Sequence, residues 1–292
     1  MIEKNLEQFF DAVLFQSLGE SLPVTSYRVV TGGCINNALK ISTERGPYFL
    51  KWNQDPTNHF FETEARGLEL LRSTATLTVP EVYNIGEAEG QDYILMEYLE
   101  KQAPSHTFWE DFGIGLAELH KNKAPKYGLD HQNYIGSLPQ KNEPMHDWVE
   151  FFIENRLEVQ LGLAIYNNLI DSEFARRFRI LYAQLPGLLV YEPPSLLHGD
   201  LWTGNFIIGP EGQAAIMDPA VYYGNREMEM AYTQLFGGFD NLFYTAYFDV
   251  LPVEPGFQER ADIYNLYPLL VHVNLFGSSY LSGVERVIRR YC

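Results

Sequence analysis

Apolar residues recur at helical spacing at the start of the chain and then give way to a strand-like pattern. Ile2, Leu6, Phe10 and Leu14 are part of a periodicity that predicts a helix over residues 2–18, and Gly19 follows as a stop signal. Three short runs rich in β-forming residues come next, and glycine-containing turn segments separate them. The pattern predicts an antiparallel meander with strands at 27–30, 38–41 and 48–51.

The remaining segments predict a change from mixed to mainly helical structure. Helical spacing returns over 60–71, and a further strand pair is expected at 82–86 and 93–96. Beyond a short link near 97–104, four longer segments have helical periodicity and one short stretch has the pattern of a hairpin. These segments are 108–120, 148–163, 173–185 and 261–276, with the hairpin strands at 206–208 and 214–217.

This order predicts an α+β protein with two lobes. Residues 1–98 would form a small antiparallel β-rich lobe, and residues 99–292 would form a larger, mainly helical lobe. A cleft between two such lobes is a usual place for a ligand.

The charge of the chain limits what it can bind. The sequence has 21 lysines and arginines against 38 aspartates and glutamates, a net charge of −17. So acidic a surface disfavours nucleic acid and anionic membranes, and an anionic ligand has to meet a local positive feature or metal ions. No apolar run approaches the roughly 20 residues of a membrane-spanning helix, no signal-peptide pattern is present, and two cysteines cannot form a disulfide framework. A cytoplasmic location is therefore expected.

The densest chemical signal lies in the segment that begins Leu196-Leu-His-Gly-Asp. Asp200 and Asn205 have the Asp-x4-Asn spacing of a kinase catalytic loop, and Asp218 follows an apolar strand where a metal-holding aspartate belongs. Phosphoryl transfer needs a carboxylate that orients a hydroxyl and accepts its proton, together with oxygen ligands for Mg²⁺. Taken alone the spacing is weak, because Asp and Asn often cap turns.

Upstream residues strengthen the kinase interpretation. Lys51 ends a predicted strand shortly after a Gly-Gly turn, as a phosphate-binding lysine would, and Glu64 lies on the next predicted helix. Considered separately, Lys51 and Glu64 would be a solvated pair that contributes less than about 1 kcal/mol. The ordered set of glycine turn, lysine, helical glutamate, Asp-x4-Asn and final aspartate predicts a kinase.

At this level of detail the sequence resembles the fructosamine kinase (ketosamine-3-kinase) family, whose fold is similar to that of aminoglycoside phosphotransferases and choline kinases. The resemblance extends over nearly the whole chain. The segments that carry it are Thr31–Asn36, Phe61–Gly67, Tyr134–Gly136, Leu138–Asn142, Asp147-Trp148, His198–Asn205, Asp218–Glu227 and Leu235–Phe239. The Asp-Leu-Trp and Asp-Pro-Ala sequences separate this family from the antibiotic kinases.

The resemblance implies a protein-kinase-like fold and ATP-dependent phosphorylation of the 3-hydroxyl of a ketosamine, in protein deglycation or metabolite repair. Asp200 would be the catalytic base, and Asn205 and Asp218 would hold Mg²⁺. Lys51 would contact the nucleotide phosphates with Glu64 as its partner. Further nucleotide contacts would come from the loop with Gly32 and Gly33 and from the backbone of Glu97, Tyr98 and Leu99.

Several departures from the protein-kinase pattern are plain. The chain has no full G-x-G-x-x-G motif, Gly199 stands where protein kinases have the arginine of His-Arg-Asp, and Asp218-Pro-Ala replaces Asp-Phe-Gly. These features are normal in the family that the chain resembles. They argue against a protein kinase that is regulated through a phosphorylated activation loop.

The acceptor side is less well defined by the sequence. Trp202 would offer an indole face to a sugar, although packing beneath the loop is the alternative. Tyr222, Tyr223 and the neighbours Arg226 and Glu227 could line the same cavity, or Arg226 and Glu227 could pair with each other.

A histidine and a cysteine have interpretations of their own. His272 is expected to be a core histidine. Cys34, in the predicted phosphate loop, is either a replacement for serine or a redox-sensitive thiol, because groups that attract phosphate also favour a thiolate.

Two alternatives remain at the level of function. The enzyme could phosphorylate another acceptor, such as an aminoglycoside or an amino-alcohol, or it could be a nucleotide-binding pseudokinase. Pseudokinases usually lack one of the residues that correspond to Lys51, Asp200 and Asp218, and all three are present here. The sequence leaves open which sugar is used, whether the amine is a small molecule or a protein lysine, and whether the protein is a monomer or a homodimer.

Overall fold

The computed structural model describes residues 4–30, 37–53 and 59–291. The helices are α1 (Lys4–Leu18), α2 (Phe60–Ser73), α3 (Phe108–His120), α4 (Trp148–Phe152), α5 (Glu158–Tyr166), α6 (Ser172–Leu188), α7 (Arg226–Leu235), α8 (Asn241–Val250), α9 (Phe257–Tyr264), α10 (Leu266–Phe276) and α11 (Leu281–Tyr291). The strands are β1 (Val24–Val29), β2 (Asn37–Thr43), β3 (Gly46–Asn53), β4 (Val82–Ala88), β5 (Gln91–Glu97), β6 (Asn133–Ile135), β7 (Leu138–Gln140), β8 (Ser195–Leu197), β9 (Phe206–Ile208), β10 (Ala214–Ile216) and β11 (Tyr222–Gly224).

The chain divides into two compact units. The first consists of Met1–His106 together with Phe206–Asp218, and the second of Thr107–Asn205 together with Pro219–Cys292.

The first unit is built on a five-stranded antiparallel sheet in the order β1-β2-β3-β5-β4. The sheet confirms the predicted meander of β1, β2 and β3 and the predicted pair of β4 and β5. Strand β5 pairs with β3 and so joins the two parts. Helix α1 packs Phe9, Phe10, Val13 and Leu14 into a buried core with strand residues such as Leu50. The periodicity of α1 is therefore the result of one buried face.

The second unit is mainly helical, as predicted. Helix α3 has the predicted bounds, and its neighbour α8 packs along it. Short strand pairs β8–β11 and β6–β7 complete the unit. The hydrophobic pattern of the sequence does not predict α7, α8 or α11. The sequence does not mark helix α7 because its buried positions, Arg226–Thr233, include the charged residues Arg226, Glu227 and Glu229.

Both the 148–163 and the 261–276 segments are helical, as predicted, and each contains one local irregularity. The 148–163 segment contains a π-helical turn at Ile153–Leu157, which carries the buried Arg156. The 261–276 segment breaks at Asn265 between α9 and α10. Pro268 lacks the N–H that would continue the backbone ladder through this point.

These elements form a protein-kinase-like fold with a small antiparallel N-lobe and a larger helical C-lobe, which confirms the predicted fold class. Among the described helices, none combines the length and apolar character needed to cross a membrane.

Candidate active site

Alternation along β3 and periodicity along α2 bring Lys51 and Glu64 together. Leu50 points into the core beneath α1, so its neighbour Lys51 faces the opposite side of the sheet. Glu64 lies on the buried stripe of α2, between Phe61 and Leu68. Lys51 Nζ lies 2.6 Å from Glu64 Oε1, and both residues are 8% exposed. The pairing expected from the sequence is present, and it is a buried pair rather than a solvated one.

Asp218 also contacts the Lys51 ammonium and completes a three-residue cluster within the first unit. It follows β10, which is held by a parallel bridge between Ala215 and Thr78. Asp218 has a φ of +55°, in the left-handed region that aspartate tolerates better than most residues. Its side chain is 36% exposed, in contrast to that of Glu64 at 7%. A carboxylate oxygen of Asp218 therefore has access to solvent, as a metal ligand requires.

The cluster shifts the pKa values of its buried members. Burial opposes the charge on Lys51, but the carboxylates of Asp218 and then Glu64 outweigh it and raise the Lys51 pKa. Burial raises the pKa of Glu64, and the single cation between two carboxylates does not cancel this effect. Lys51 is thus fixed as an ammonium, the form that binds phosphate.

The three residues expected near adenine begin at the last residue of β5. The backbone N–H of Glu97 donates to the carbonyl of Glu81, the residue before β4, at 2.8 Å. The Tyr98 ring lies 4.2 Å from the Lys40 ammonium, and Leu99 is buried. Their role in nucleotide binding stays a prediction.

In the second unit, the carboxylate of Asp200 is held at both oxygens. Asn205 Nδ2 donates to Asp200 Oδ2 and to the Asp200 carbonyl, each at 2.8 Å. Tyr232 donates its hydroxyl to Asp200 Oδ1 at 3.0 Å. Because the amide nitrogen of Asn205 faces Asp200, its oxygen is turned away from that carboxylate, and this oxygen has metal-ligand chemistry.

The backbone that precedes Asp200 is fixed by Glu229 of α7. Its carboxylate accepts hydrogen bonds from the backbone N–H of His198 at 3.0 Å and of Gly199 at 2.7 Å. Gly199 has a φ of +85°, and a Cβ there would lie 1.9 Å from the Ala220 carbonyl oxygen. The glycine found in place of the protein-kinase arginine is therefore required sterically.

A chain of buried groups supports Glu229. His120 Nε2 lies 2.9 Å from Glu229 Oε2, and His120 Nδ1 lies 2.7 Å from the Tyr247 hydroxyl. Burial lowers the pKa of His120. Burial alone would raise the pKa of Glu229, but the hydrogen bonds that it accepts from His120 and from the Gly199 backbone hold this pKa below its ordinary value. The shifts favour a neutral imidazole that donates to an ionised carboxylate.

The middle segment of the family resemblance forms a buried polar network. Asn133 donates to the Val221 carbonyl at 2.8 Å, and Gln140 donates to the Ala220 carbonyl at 3.0 Å. Asn142 and Arg156 extend the network, and the Arg156 guanidinium lies 3.9 Å from the Tyr222 ring centre. These contacts fix the chain just after Asp218-Pro219.

Trp202 is half-buried and takes part in local packing. A Cβ on Gly204 would lie 2.3 Å from the indole, so the ring lies directly over that backbone. The ring of Phe236 is 6.3 Å away in an edge-on arrangement. The partly exposed indole is compatible with a substrate contact, which stays a prediction.

Two expectations change, one for Arg226 and Glu227 and one for His272 on α10. Arg226 and Glu227 do not form a pair with each other: Arg226 binds Glu192 at 2.7 Å, and Glu227 binds Arg260 through two bonds of 2.6 Å. They are neighbours on a helix whose side chains diverge, so each finds a separate partner. His272 is half-buried rather than fully enclosed, and its Nδ1 lies 2.8 Å from the Pro268 carbonyl.

Gly32, Gly33 and Cys34 lie outside the described residues, so their predicted roles stay predictions. The sequence motifs do not indicate Glu229, Tyr232 or His120 as functional residues. Each is polar in a buried setting, and the Glu229–Tyr232 spacing places two polar groups on one helical face. That spacing is the one local signal that could have identified them.

Comparison with known proteins adds the family context. The fructosamine kinase family model matches residues 7–292. The chain is 39% identical over 278 residues to an Arabidopsis thaliana protein named protein-ribulosamine 3-kinase, chloroplastic, with 94% of this chain and 84% of that protein covered. It is 40% identical over 267 residues to a candidate ketoamine kinase of Enterococcus faecium, with coverage of 90% and 94%.

Solved structures agree with this match. A candidate fructosamine-3-kinase of Haemophilus somnus superposes with a TM-score of 0.87 at 31% identity, covering 97% of this chain and 96% of that one. An aminoglycoside phosphotransferase crystallised with ADP and hygromycin B has a TM-score of 0.61 at 14% identity, with coverage of 96% and 97%. The second likeness concerns the fold alone.

Proposed function

The chain belongs to the fructosamine kinase family, and we propose from this that it transfers the γ-phosphoryl group of ATP to the 3-hydroxyl of a ketosamine. The observation that carries the proposal is the Asp200 carboxylate, oriented at both oxygens within the His-Gly-Asp-Leu-Trp loop. The expected role in deglycation follows from the substrate class. A location in the cytoplasm stays a prediction from the sequence, and the Arabidopsis relative is named as chloroplastic.

In the proposed mechanism Asp200 orients the acceptor hydroxyl and accepts its proton as the oxygen attacks. Lys51, held as an ammonium by Glu64, pairs with the phosphates of the nucleotide. The family resemblance implies that Asp218 and Asn205 would hold Mg²⁺, and the ion would supply positive charge against the phosphates. Carboxylate and amide oxygens are the ligand types that this ion prefers, so the residues fit it.

The acceptor would bind beside the half-exposed Trp202. An indole face suits the C–H face of a sugar, and its N–H can pair with a hydroxyl. The acceptor is either a small ketosamine or a glycated lysine of a protein. The net charge of −17 attracts a cationic amine of either kind, so charge does not choose between them.

The test is an assay of ADP release with ribulosamine, erythrulosamine, fructosamine and aminoglycoside acceptors, with ³¹P NMR to locate the phosphate. We expect turnover of at least one ketosamine with phosphate on O3. Asp200→Asn should keep ATP binding and the fold but lose at least about 10²-fold in turnover, because general-base catalysis contributes about 10²–10⁴.

Turnover of aminoglycosides alone would contradict the proposal and favour the alternative acceptor class. ATP binding without turnover of any acceptor would favour a pseudokinase. An Asp200→Asn variant that keeps a tenth of the wild-type rate would exclude Asp200 as the base.

A further inference from the structure

One face of helix α7 contacts the loop at three consecutive residues. Glu229 accepts the backbone N–H groups of His198 and Gly199, and Tyr232, one turn later, donates to the side chain of Asp200. Residues three apart on a helix share a face. The same face therefore fixes both the backbone before the base and the base itself.

We propose that Tyr232 is a positioning residue that sets the orientation of the Asp200 carboxylate through its hydroxyl, an inference that rests on the proposed function. The Tyr232 hydroxyl donates a hydrogen bond to Oδ1 of Asp200, and Asn205 Nδ2 donates one to Oδ2. A carboxylate plane held at both oxygens cannot rotate about its terminal bond without losing one of these hydrogen bonds. An ionised carboxylate has about four acceptor sites, so two such bonds are compatible with a third from an acceptor hydroxyl.

Tyr232 is well suited to hold this position. The residue is 5% exposed, and it lies on a helix in which Arg226–Thr233 are all buried. Its ring packs against Phe236, with 6.1 Å between the ring centres. Burial, and then the charge of Asp200, raises the Tyr232 pKa well above its ordinary value. The phenol therefore stays protonated and remains a donor throughout the pH range in which the enzyme would act.

Loss of the hydroxyl has one defined consequence. The carboxylate gains rotational freedom, so turnover should fall while ATP binding does not change. A residue with a merely structural role would not produce this selective loss of kcat.

The test compares Tyr232→Phe with Tyr264→Phe as a matched control. Tyr264 is also a buried tyrosine, but it lies on α9 and its ring packs against Trp148 and Phe152. In Tyr232→Phe we expect kcat to fall about tenfold to hundredfold, as for loss of one hydrogen bond to a charged group. The KM for ATP should match that of Tyr264→Phe, in which kcat should not change.

A second measurement does not depend on the acceptor. At one fixed pH, carbon-13 NMR of labelled aspartate carboxyls gives the chemical shift of Asp200, which is assigned through Asp200→Asn. We expect this chemical shift to change in Tyr232→Phe, because the carboxylate loses a hydrogen bond, and to stay the same in Tyr264→Phe. An unchanged chemical shift, or an unchanged kcat in an active enzyme, would overturn the inference. A changed chemical shift in a protein that phosphorylates no ketosamine would support the contact and contradict the proposed function instead.

Discussion

The buried cluster of Lys51, Glu64 and Asp218 makes a quantitative prediction about stability. Lys51→Met removes the cation that lies between two carboxylates and leaves Glu64, with a side chain only 7% exposed, without it. Removing one partner of a buried ion pair costs about 3–5 kcal/mol because the remaining charge is uncompensated. Asp218 adds less to this cost, because its side chain is 36% exposed and water can solvate it.

Two further variants isolate the effect of the buried charge on the free energy of unfolding. Glu64→Gln keeps an oxygen that can accept from Lys51, and the ammonium retains Asp218, so the expected cost is that of one weakened hydrogen bond, about 1–1.5 kcal/mol. The double variant Lys51→Met/Glu64→Gln buries no unpaired charge at these two positions. It should therefore be about 2 kcal/mol more stable than Lys51→Met alone.

The effect has a defined pH dependence. Without Lys51, the folded-state pKa of Glu64 rises further above its ordinary 4.5. A group whose folded pKa is raised contributes stability that is present below the unfolded pKa and is lost as the pH rises through the folded pKa. The destabilisation of Lys51→Met should therefore be larger at pH 8 than at pH 5.5, and in the double variant this difference should disappear.

Urea denaturation, followed by circular dichroism and tryptophan fluorescence at both pH values, measures these differences. The free energies of unfolding of the four proteins form a double-mutant cycle. If Lys51→Met and the double variant are equally destabilised at both pH values, an unpaired buried carboxylate is not the source of the loss. The reasoning about this cluster would then be wrong.

Three further predictions use other parts of the site. Asp218→Ala should abolish the enhancement of ATP binding by Mg²⁺ in calorimetric titrations, and equal enhancement in wild type and variant would make Asp218 purely structural. Trp202→Ala should raise the acceptor KM several-fold at an unchanged ATP KM, whereas equal effects with a lower melting temperature would indicate core packing. Burial lowers the folded pKa of His120 and also of His272, so the stability that each contributes while neutral is lost as the pH falls below about 6.5. The melting temperature should therefore fall between pH 7.5 and 5.5, less steeply in His120→Gln, and an equal slope would exclude His120 as a source.

The local spacing of apolar residues was sufficient to predict helices and strands that have one buried face. The stripe of α2 and the alternation of β3 were both visible in the sequence, and together they place Glu64 and Lys51 on facing surfaces. The sequence therefore predicted that Lys51 and Glu64 pair with each other, but not that the pair is buried. Helix α7 was not predictable in this way because charged residues such as Glu229 occupy its buried positions.

The sequence alone determined which chemical groups are present and in what order: a lysine on a strand, a glutamate on the next helix, and Asp200, Asn205 and Asp218 at kinase-like spacing. This was possible because residues a few positions apart are constrained by the local backbone. Only the tertiary structure decided that Glu229 holds the backbone before Asp200 and that Tyr232 holds its carboxylate. Those partners lie about thirty residues along the chain, and buried polar groups are satisfied by whatever packing brings near them, which local sequence does not encode.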